Sequence, residues 1–183
     1  MSKNLFVIAG PSGVGKGSLI KKLISTDLNY TLSVSATTRP ARAGEVHGTD
    51  YFFMTKQEFD KCILENGFLE WAEFAGNKYG TLISEVDSQL ALGKKVILEI
   101  ELAGVRQVKK LRSDAKFIFI APPSLEILQQ RLAGRGTENP AEIADRILIA
   151  KDELAAQGEF DFVLINDDFA GSFERLLNFC ELD

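Results

Sequence analysis

Cysteine is scarce in this chain of 183 residues: it occurs only as Cys62 and Cys180, and neither stands in a paired spacing. A disulfide framework and a cysteine-ligated zinc site both lack material, and a reducing cytosol is the compartment expected. Histidine occurs once, at His47 in the polar run Gly44-Glu-Val-His-Gly-Thr49. That excludes histidine-rich metal sites and leaves any Ser-His-Asp arrangement resting on one residue, which reads as solvated loop. Long apolar runs are missing as well. The longest, such as Leu5 to Ala9 and Phe117 to Ala121, have the length of a strand and fall far short of a membrane span. Met1-Ser-Lys-Asn4 leads straight into the first of them without a signal-peptide apolar region, so export is not expected. An excess of positive charge is also lacking. A net charge of −5 argues against general nucleic-acid binding, so a polyanionic small ligand would have to meet locally clustered cations.

What is present is the composition of an ordinary globular protein, with 45% hydrophobic and 26% charged residues. The length suits one domain, or one core with small insertions. Asn4-Leu-Phe-Val-Ile-Ala9 is continuously apolar and ends at Gly10, as strands buried on both faces of a parallel sheet do. Similar runs recur at Lys95–Ile100, Lys116–Ala121 and Phe160–Ile165. Helical spacing lies between and around them: Leu19, Ile20, Leu23 and Ile24 form one apolar face, Leu125, Leu128 and Leu132 another, and Ile143, Ile147 and Leu154 a third. This alternation predicts an α/β fold, a parallel sheet flanked by helices.

Helix starts are marked too. Thr55-Lys-Gln-Glu58 and Ser84-Glu-Val-Asp87 read as capping boxes, and Asn139-Pro-Ala-Glu142 places proline after an N-cap asparagine. From about Ser33 to Thr81 the alternation breaks into polar β-type segments, Leu32–Ser35, Tyr51–Met54 and Phe68–Trp71, joined by loops rich in Arg, Gly and Thr. We read 33–81 as a small inserted α+β subdomain, and 1–32, 82–125 and 156–183 as the core. The irregular patch Gly134-Arg-Gly-Thr-Glu-Asn-Pro140 joins two helical segments and has the composition of a mobile excursion.

Gly10-Pro11-Ser12-Gly13-Val14-Gly15-Lys16 follows a buried strand and opens a helix, the context a P-loop needs. Its glycines let backbone N–H groups and the helix N-terminus point at phosphate oxygens, while Lys16 adds a positive charge. A glycine-rich turn that merely packs is the plainer alternative. The position after the lysine, commonly the hydroxyl that touches magnesium, is Gly17, and Ser18 follows. No Asn-Lys-x-Asp segment specifies guanine in the manner of a GTPase, and Asp168-Phe-Ala-Gly171 is only a trivial match to a switch motif. A second cluster, Ser33-Val-Ser35-Ala-Thr-Thr-Arg39-Pro-Ala-Arg42 continuing to Tyr51, puts two guanidiniums and a phenol together. Arginine forks match phosphate oxygens, though a solvated basic loop is the usual fate of such residues.

Over essentially its whole length the chain resembles the guanylate kinases. The motifs that carry this are the P-loop, the Ser33–Arg42 and Gly44–Tyr51 block, Glu70-Trp71-Ala through Gly76-Asn-Lys-Tyr79-Gly-Thr81, Arg131 with Arg135-Gly136, and Ile165-Asn166-Asp-Asp168, in that family's order. The resemblance implies a P-loop NTPase-type core with a GMP-binding insertion at 33–81 and a helical lid at 126–155. It implies transfer of the γ-phosphoryl of ATP to GMP, with dGMP as a further acceptor and Mg2+ as cofactor. In that reading 10–18 and Asn166 hold ATP, and Asn166 faces the adenine. Arg39, Arg42, Tyr51 and Tyr79 hold the acceptor phosphate, while Ser35, Glu70, Thr81 and Glu101 face the guanine. Lys16, Arg39 and the lid arginines Arg131, Arg135 and Arg146 serve the transfer, with Ser18 and Glu99 near the metal. The family usually carries Asp-Ile-Asp where this chain has Glu99-Ile-Glu101. A non-catalytic GMP-binding module of the same fold is the alternative, and a homo-oligomer is left open.

Overall fold

The apolar run near the start of the chain becomes the middle strand of a sheet covered on both faces. In the computed structural model, which describes residues 4–134 and 140–182, β1 (Leu5–Ala9) is wholly buried. Its even residues, Phe6 and Ile8, join one apolar cluster, and Leu5, Val7 and Ala9 join another on the opposite face. Alternation of side chains across a strand explains why no polar residue interrupts the run.

After β1 come α1 (Lys16–Thr26), β2 (Tyr30–Leu32), β3 (Ala36–Thr37), β4 (Phe52–Phe53), α2 (Lys56–Leu64), β5 (Phe68–Phe74), β6 (Asn77–Leu82) and α3 (Ile83–Ala91). The chain continues through β7 (Lys95–Glu99), α4 (Leu102–Leu111), β8 (Lys116–Ala121), α5 (Leu125–Ala133), α6 (Pro140–Ala155), β9 (Phe162–Ile165) and α7 (Phe169–Glu181). Five strands form one parallel sheet in the order β2-β7-β1-β8-β9. Helices α1, α5, α6 and α7 contribute to the cluster around Phe6, and α3 and α4 to the one around Val7. The fold is therefore the helix-flanked parallel α/β sheet that the periodicity predicts. No helix of the described residues is long and apolar enough to cross a membrane.

A second sheet, in the order β4-β3-β6-β5, stands on its own small core of Ala36, Phe59 and Phe68. The Phe59 and Phe68 rings stack with centroids 4.3 Å apart. Helix α2 begins where expected: the Thr55 hydroxyl accepts from the Glu58 amide at 3.2 Å, and the Glu58 carboxylate accepts from the Thr55 amide at 2.7 Å. Three local readings need correction. Ser84 does not cap α3, which starts two residues earlier than the motif suggests, because the Ile83 amide donates to the Gly67 carbonyl at 2.9 Å and ties the helix start to the residue before β5. Residues 33–35 are not strand: β2 ends at Leu32 inside the large sheet, and the small sheet begins at Ala36. The last strand starts at Phe162 rather than Phe160, since the Asp161 carboxylate takes the Phe117 amide at 2.8 Å and turns the chain into the sheet. The Asn139 cap lies outside the described residues, although α6 does begin at Pro140.

Candidate active site

The cradle between β1 and α1 is a tight turn in which the Val14 amide donates to the Pro11 carbonyl at 3.3 Å. Gly15, at the N-cap of α1, has φ of +100°, and a Cβ there would meet the Asn166 amide nitrogen at 2.6 Å. Only glycine takes that conformation without strain in so close an approach. The helix has no side-chain cap and no acidic residue in its first turn. Its N-terminal N–H groups and the positive end of its dipole are thus open to an anion. The Lys16 ammonium donates to the carbonyls of Gly10 at 2.5 Å and Pro11 at 3.1 Å, folded along the loop it serves. A cavity of about 330 Å³ opens in front, lined by Ser12, Gly13, Gly15, Lys16, Ser18 and Glu99 among others. Pro11 and Val14 face inward and act through their backbone. At Gly17 a Cβ would meet nothing within 4 Å, so the position next to the lysine is empty space rather than a packing requirement.

From behind, the loop is braced by groups distant in sequence. The Asn166 amide, 6% exposed, donates to the Val14 carbonyl at 2.7 Å. Arg131 donates to the same carbonyl at 3.3 Å and to the Asn166 carbonyl at 3.0 Å. The structure brings two expected site residues against the loop itself. Asn166, expected against the adenine, is buried beneath the loop, because a left-handed turn leaves the Val14 carbonyl in need of a donor. Arg131, expected to reach the transferred phosphate, holds the loop from α5. Arg135 lies outside the described residues.

The second pocket lies between the small sheet and the ends of β7 and α4. Its volume is about 330 Å³, and its walls include Ser35, Tyr51, Glu70, Tyr79, Glu99 and Glu101. Glu70, 8% exposed, accepts the Thr81 hydroxyl at 2.6 Å. Burial raises its carboxyl above the usual range, the Thr81 hydrogen bond opposes this, and the nearby Glu101 charge adds to the rise. Thr81, 2% exposed, does not line this pocket but an adjoining one of about 190 Å³, so its first role is to fix Glu70. Glu99 and Glu101 both face the pocket, but only Glu99 belongs to a strand; Glu101 is the N-cap residue of α4.

The Tyr51 and Tyr79 rings meet edge to face at 6.2 Å, and the Arg39 guanidinium lies 5.3 Å from the Tyr51 centroid. Arg39 makes a bidentate pair with Glu45, Nη1 to Oε2 at 2.9 Å and Nη2 to Oε1 at 2.8 Å. Glu45 also accepts the Arg42 amide at 2.7 Å, and these bonds hold its carboxyl below the usual range. The Arg42 side chain is exposed on the same loop, and neither arginine is among the pocket-lining residues. His47 is exposed as expected, its ring edge-on to Phe52 at 5.6 Å.

Between cradle and pocket is a larger space of about 740 Å³, bounded by Gly10, Ser12, Lys16, Glu99 and Glu101 on one side. Across it α6 presents Arg146, Ile149 and Glu153, a spacing of three and then four residues that sets them on one helix face. Arg146 donates to the Ser12 hydroxyl. Burial raises the Glu153 carboxyl, and the Lys16 charge opposes the rise. Phe74, at the end of β5, is 71% exposed and Ile149 is 58% exposed, yet both face this space. Glu45, Glu153 and Phe74 escape a motif reading. Only Glu45 had a local signal, a carboxylate six residues from Arg39 in a basic loop.

A family model described as guanylate kinase matches residues 2–182. A guanylate kinase of Parasynechococcus marenigrum (strain WH8102) is 54% identical over 172 residues, covering 94% of this chain and 94% of that protein. The crystal structure of a guanylate kinase from Anaplasma phagocytophilum is similar with a TM-score of 0.69 at 29% identity, covering 96% of this chain and 83% of that one. A shikimate kinase from Bacteroides thetaiotaomicron has a TM-score of 0.54 at 18% identity, over 97% of this chain and 98% of that one, a likeness of fold alone.

Proposed function

The chain belongs to the guanylate kinase family of enzymes, and from that premise we propose that it transfers the γ-phosphoryl group of ATP to GMP, giving ADP and GDP. The same chemistry accepts dGMP, and its products supply purine nucleotide metabolism. The observation that carries the reading is the continuity of the site. The central space shares Lys16 and Ser12 with the cradle, Phe74, Ile100 and Glu101 with the acceptor pocket, and Glu99 with both. A nucleotide phosphate on the loop and an acceptor phosphate beside the tyrosines therefore open onto one another.

In this reading the cradle amides and Lys16 take the β- and γ-phosphates. Tyr51, Tyr79 and Arg39 hold the acceptor phosphate, with Arg42 from the same loop. A guanine base offers N1–H and the N2 amino group on one edge, and the Glu70 carboxylate can accept both, a match adenine does not provide. An acceptor phosphate oxygen then forms a bond to the γ-phosphorus as the bond to the bridging oxygen of ADP breaks. Such transfer needs alignment and charge neutralisation more than covalent help. Arg146 on α6 lies where it can add positive charge, and Arg131 steadies the cradle. Swinging 126–155 and 33–81 toward the core would exclude water from the central space.

Magnesium suits this donor set. Ser18 and Glu99 line the cradle cavity with hard oxygen atoms. No group of three histidine, cysteine or carboxylate ligands occurs among the described residues. Mg2+ commonly binds one or two protein oxygens together with water and substrate phosphates, which is what this pair would offer. Bound there, the ion would neutralise phosphate charge.

The test is a coupled assay of ADP release with MgATP and GMP, AMP, UMP or CMP in turn. Turnover confined to GMP and its deoxy form is expected. Turnover with none of them, alongside calorimetric binding of GMP, would overturn the reaction and leave a GMP-binding module.

A further inference from the structure

We propose that helix α4 positions the Glu70 carboxylate through Gly104 and Gln107, and thereby sets the base selectivity of the acceptor pocket. The inference rests on the reading of Glu70 as the guanine reader and adds what holds that reader in place.

Glu70 is on β5, an edge strand that pairs with β6 on one side only. Its register slips between Phe68 and Glu70, the kind of irregularity that re-aims a side chain. On the side away from β6, α4 packs against it. Gln107 grips the strand there with both ends of its amide: Oε1 accepts the Trp71 N–H at 3.2 Å, and Nε2 donates to the Trp71 carbonyl at 3.0 Å. One side chain thus supplies the paired donor and acceptor that a neighbouring strand would have given.

Three residues earlier on α4, Gly104 is buried in the wall of the acceptor pocket. A Cβ at this glycine would meet Glu70 Oε2 at 2.8 Å and the Glu70 Cδ and Cγ at 3.3 Å. The carboxylate has little room to retreat, because its other oxygen is held by Thr81 at 2.6 Å. A methyl group at 104 must therefore turn the carboxylate away from the plane in which it accepts two N–H groups.

Val105 and Val108 anchor α4 in the large-sheet core with Leu69. The base reader is thereby referenced to the core, while Arg39, Arg42 and Tyr51 come from the loop between β3 and β4. Gly104 and Gln107 touch no reacting atom and act as positioning residues.

The experiment compares wild type, Gly104→Ala, Gln107→Leu, Glu70→Gln, Glu70→Asp and the double variant Gly104→Ala/Glu70→Asp. Each is assayed with GMP and with IMP, which lacks the N2 amino group, and its melting temperature is recorded. Gly104→Ala and Gln107→Leu are expected to raise the KM for GMP about tenfold and to narrow the GMP-to-IMP preference, with the KM for ATP and the kcat at saturating GMP within about twofold of wild type. In the Glu70→Asp background the added methyl should matter little, since the shortened side chain no longer fills the slot. That non-additivity separates positioning from general loosening. Unchanged GMP-to-IMP preference in Gly104→Ala and Gln107→Leu, with Glu70→Gln abolishing it, overturns the proposal and leaves the reading of Glu70 standing. If Glu70→Gln also leaves the preference unchanged, the reading itself fails. Should Gly104→Ala not fold, Gln107→Leu decides the question alone.

Discussion

A buried carboxylate that must stay charged to accept two N–H groups ties binding to pH. Burial raises the Glu70 carboxyl, so its protonated fraction grows at a higher pH than for an ordinary glutamate. The KM for GMP should therefore climb on acidification at a higher pH than an ordinary glutamate would dictate. Glu70→Gln removes this step but keeps any contribution from the phosphate of GMP itself. Comparing KM–pH profiles of the two proteins isolates it, and parallel profiles would count against Glu70. Glu45 carries a second prediction. Its bidentate hold aims the Arg39 guanidinium, which also reaches the Pro40 carbonyl and the Tyr79 hydroxyl, toward the acceptor side of the loop. Glu45→Gln should raise the KM for GMP several-fold and leave that for ATP unchanged; a lower KM would mean that Glu45 competes with the phosphate instead of aiming the fork. At the cradle, Lys16→Met should abolish turnover while calorimetry still detects GMP binding, because the acceptor pocket shares no Lys16 wall.

At the scale of elements, legibility followed locality. The Thr55 box is read within four residues and forms as written, whereas Ser84 carries an equally good motif and fails. What differs is the Gly67 carbonyl, which takes the Ile83 amide and starts α3 before the serine can cap it. A contact from sixteen residues away decides against a local rule. The same holds for Asn166 and Arg131, whose bonds to Val14 exist only because the sheet brings β9 and α5 under the loop. Strand β1, closed by its glycine loop, required no such knowledge. Thr55→Ala removes the hydroxyl that accepts the Glu58 amide and donates to the Glu58 carboxylate, and leaves only the backbone half of the box, a loss of about 1 kcal/mol. A fall in melting temperature of roughly 2–4 °C is expected by calorimetry, and no change would show that α2 is held by Phe59 packing alone.

Across the whole molecule, the division into a large sheet and a small one places the chemistry at their shared boundary. The cradle belongs to the large sheet, Tyr79 and Glu70 to the small one, and α6 faces both across the central space. Composition and periodicity could announce the two sheets, since each rests on its own apolar cluster. They could not announce that Phe74 and Ile149, exposed and far apart in sequence, look into the same opening.

The only tryptophan of the chain gives this arrangement an optical consequence. Trp71 follows Glu70 on β5, its backbone is clamped by Gln107, and the Lys78 ammonium sits 5.7 Å from its ring centroid. Any adjustment of the strand as the acceptor pocket fills alters the field at the indole, while the cradle walls contain no tryptophan. Intrinsic fluorescence should therefore change on titration with GMP and stay nearly silent to ATP alone. The protein carries its own unlabelled spectroscopic gauge of which of its two nucleotides has arrived.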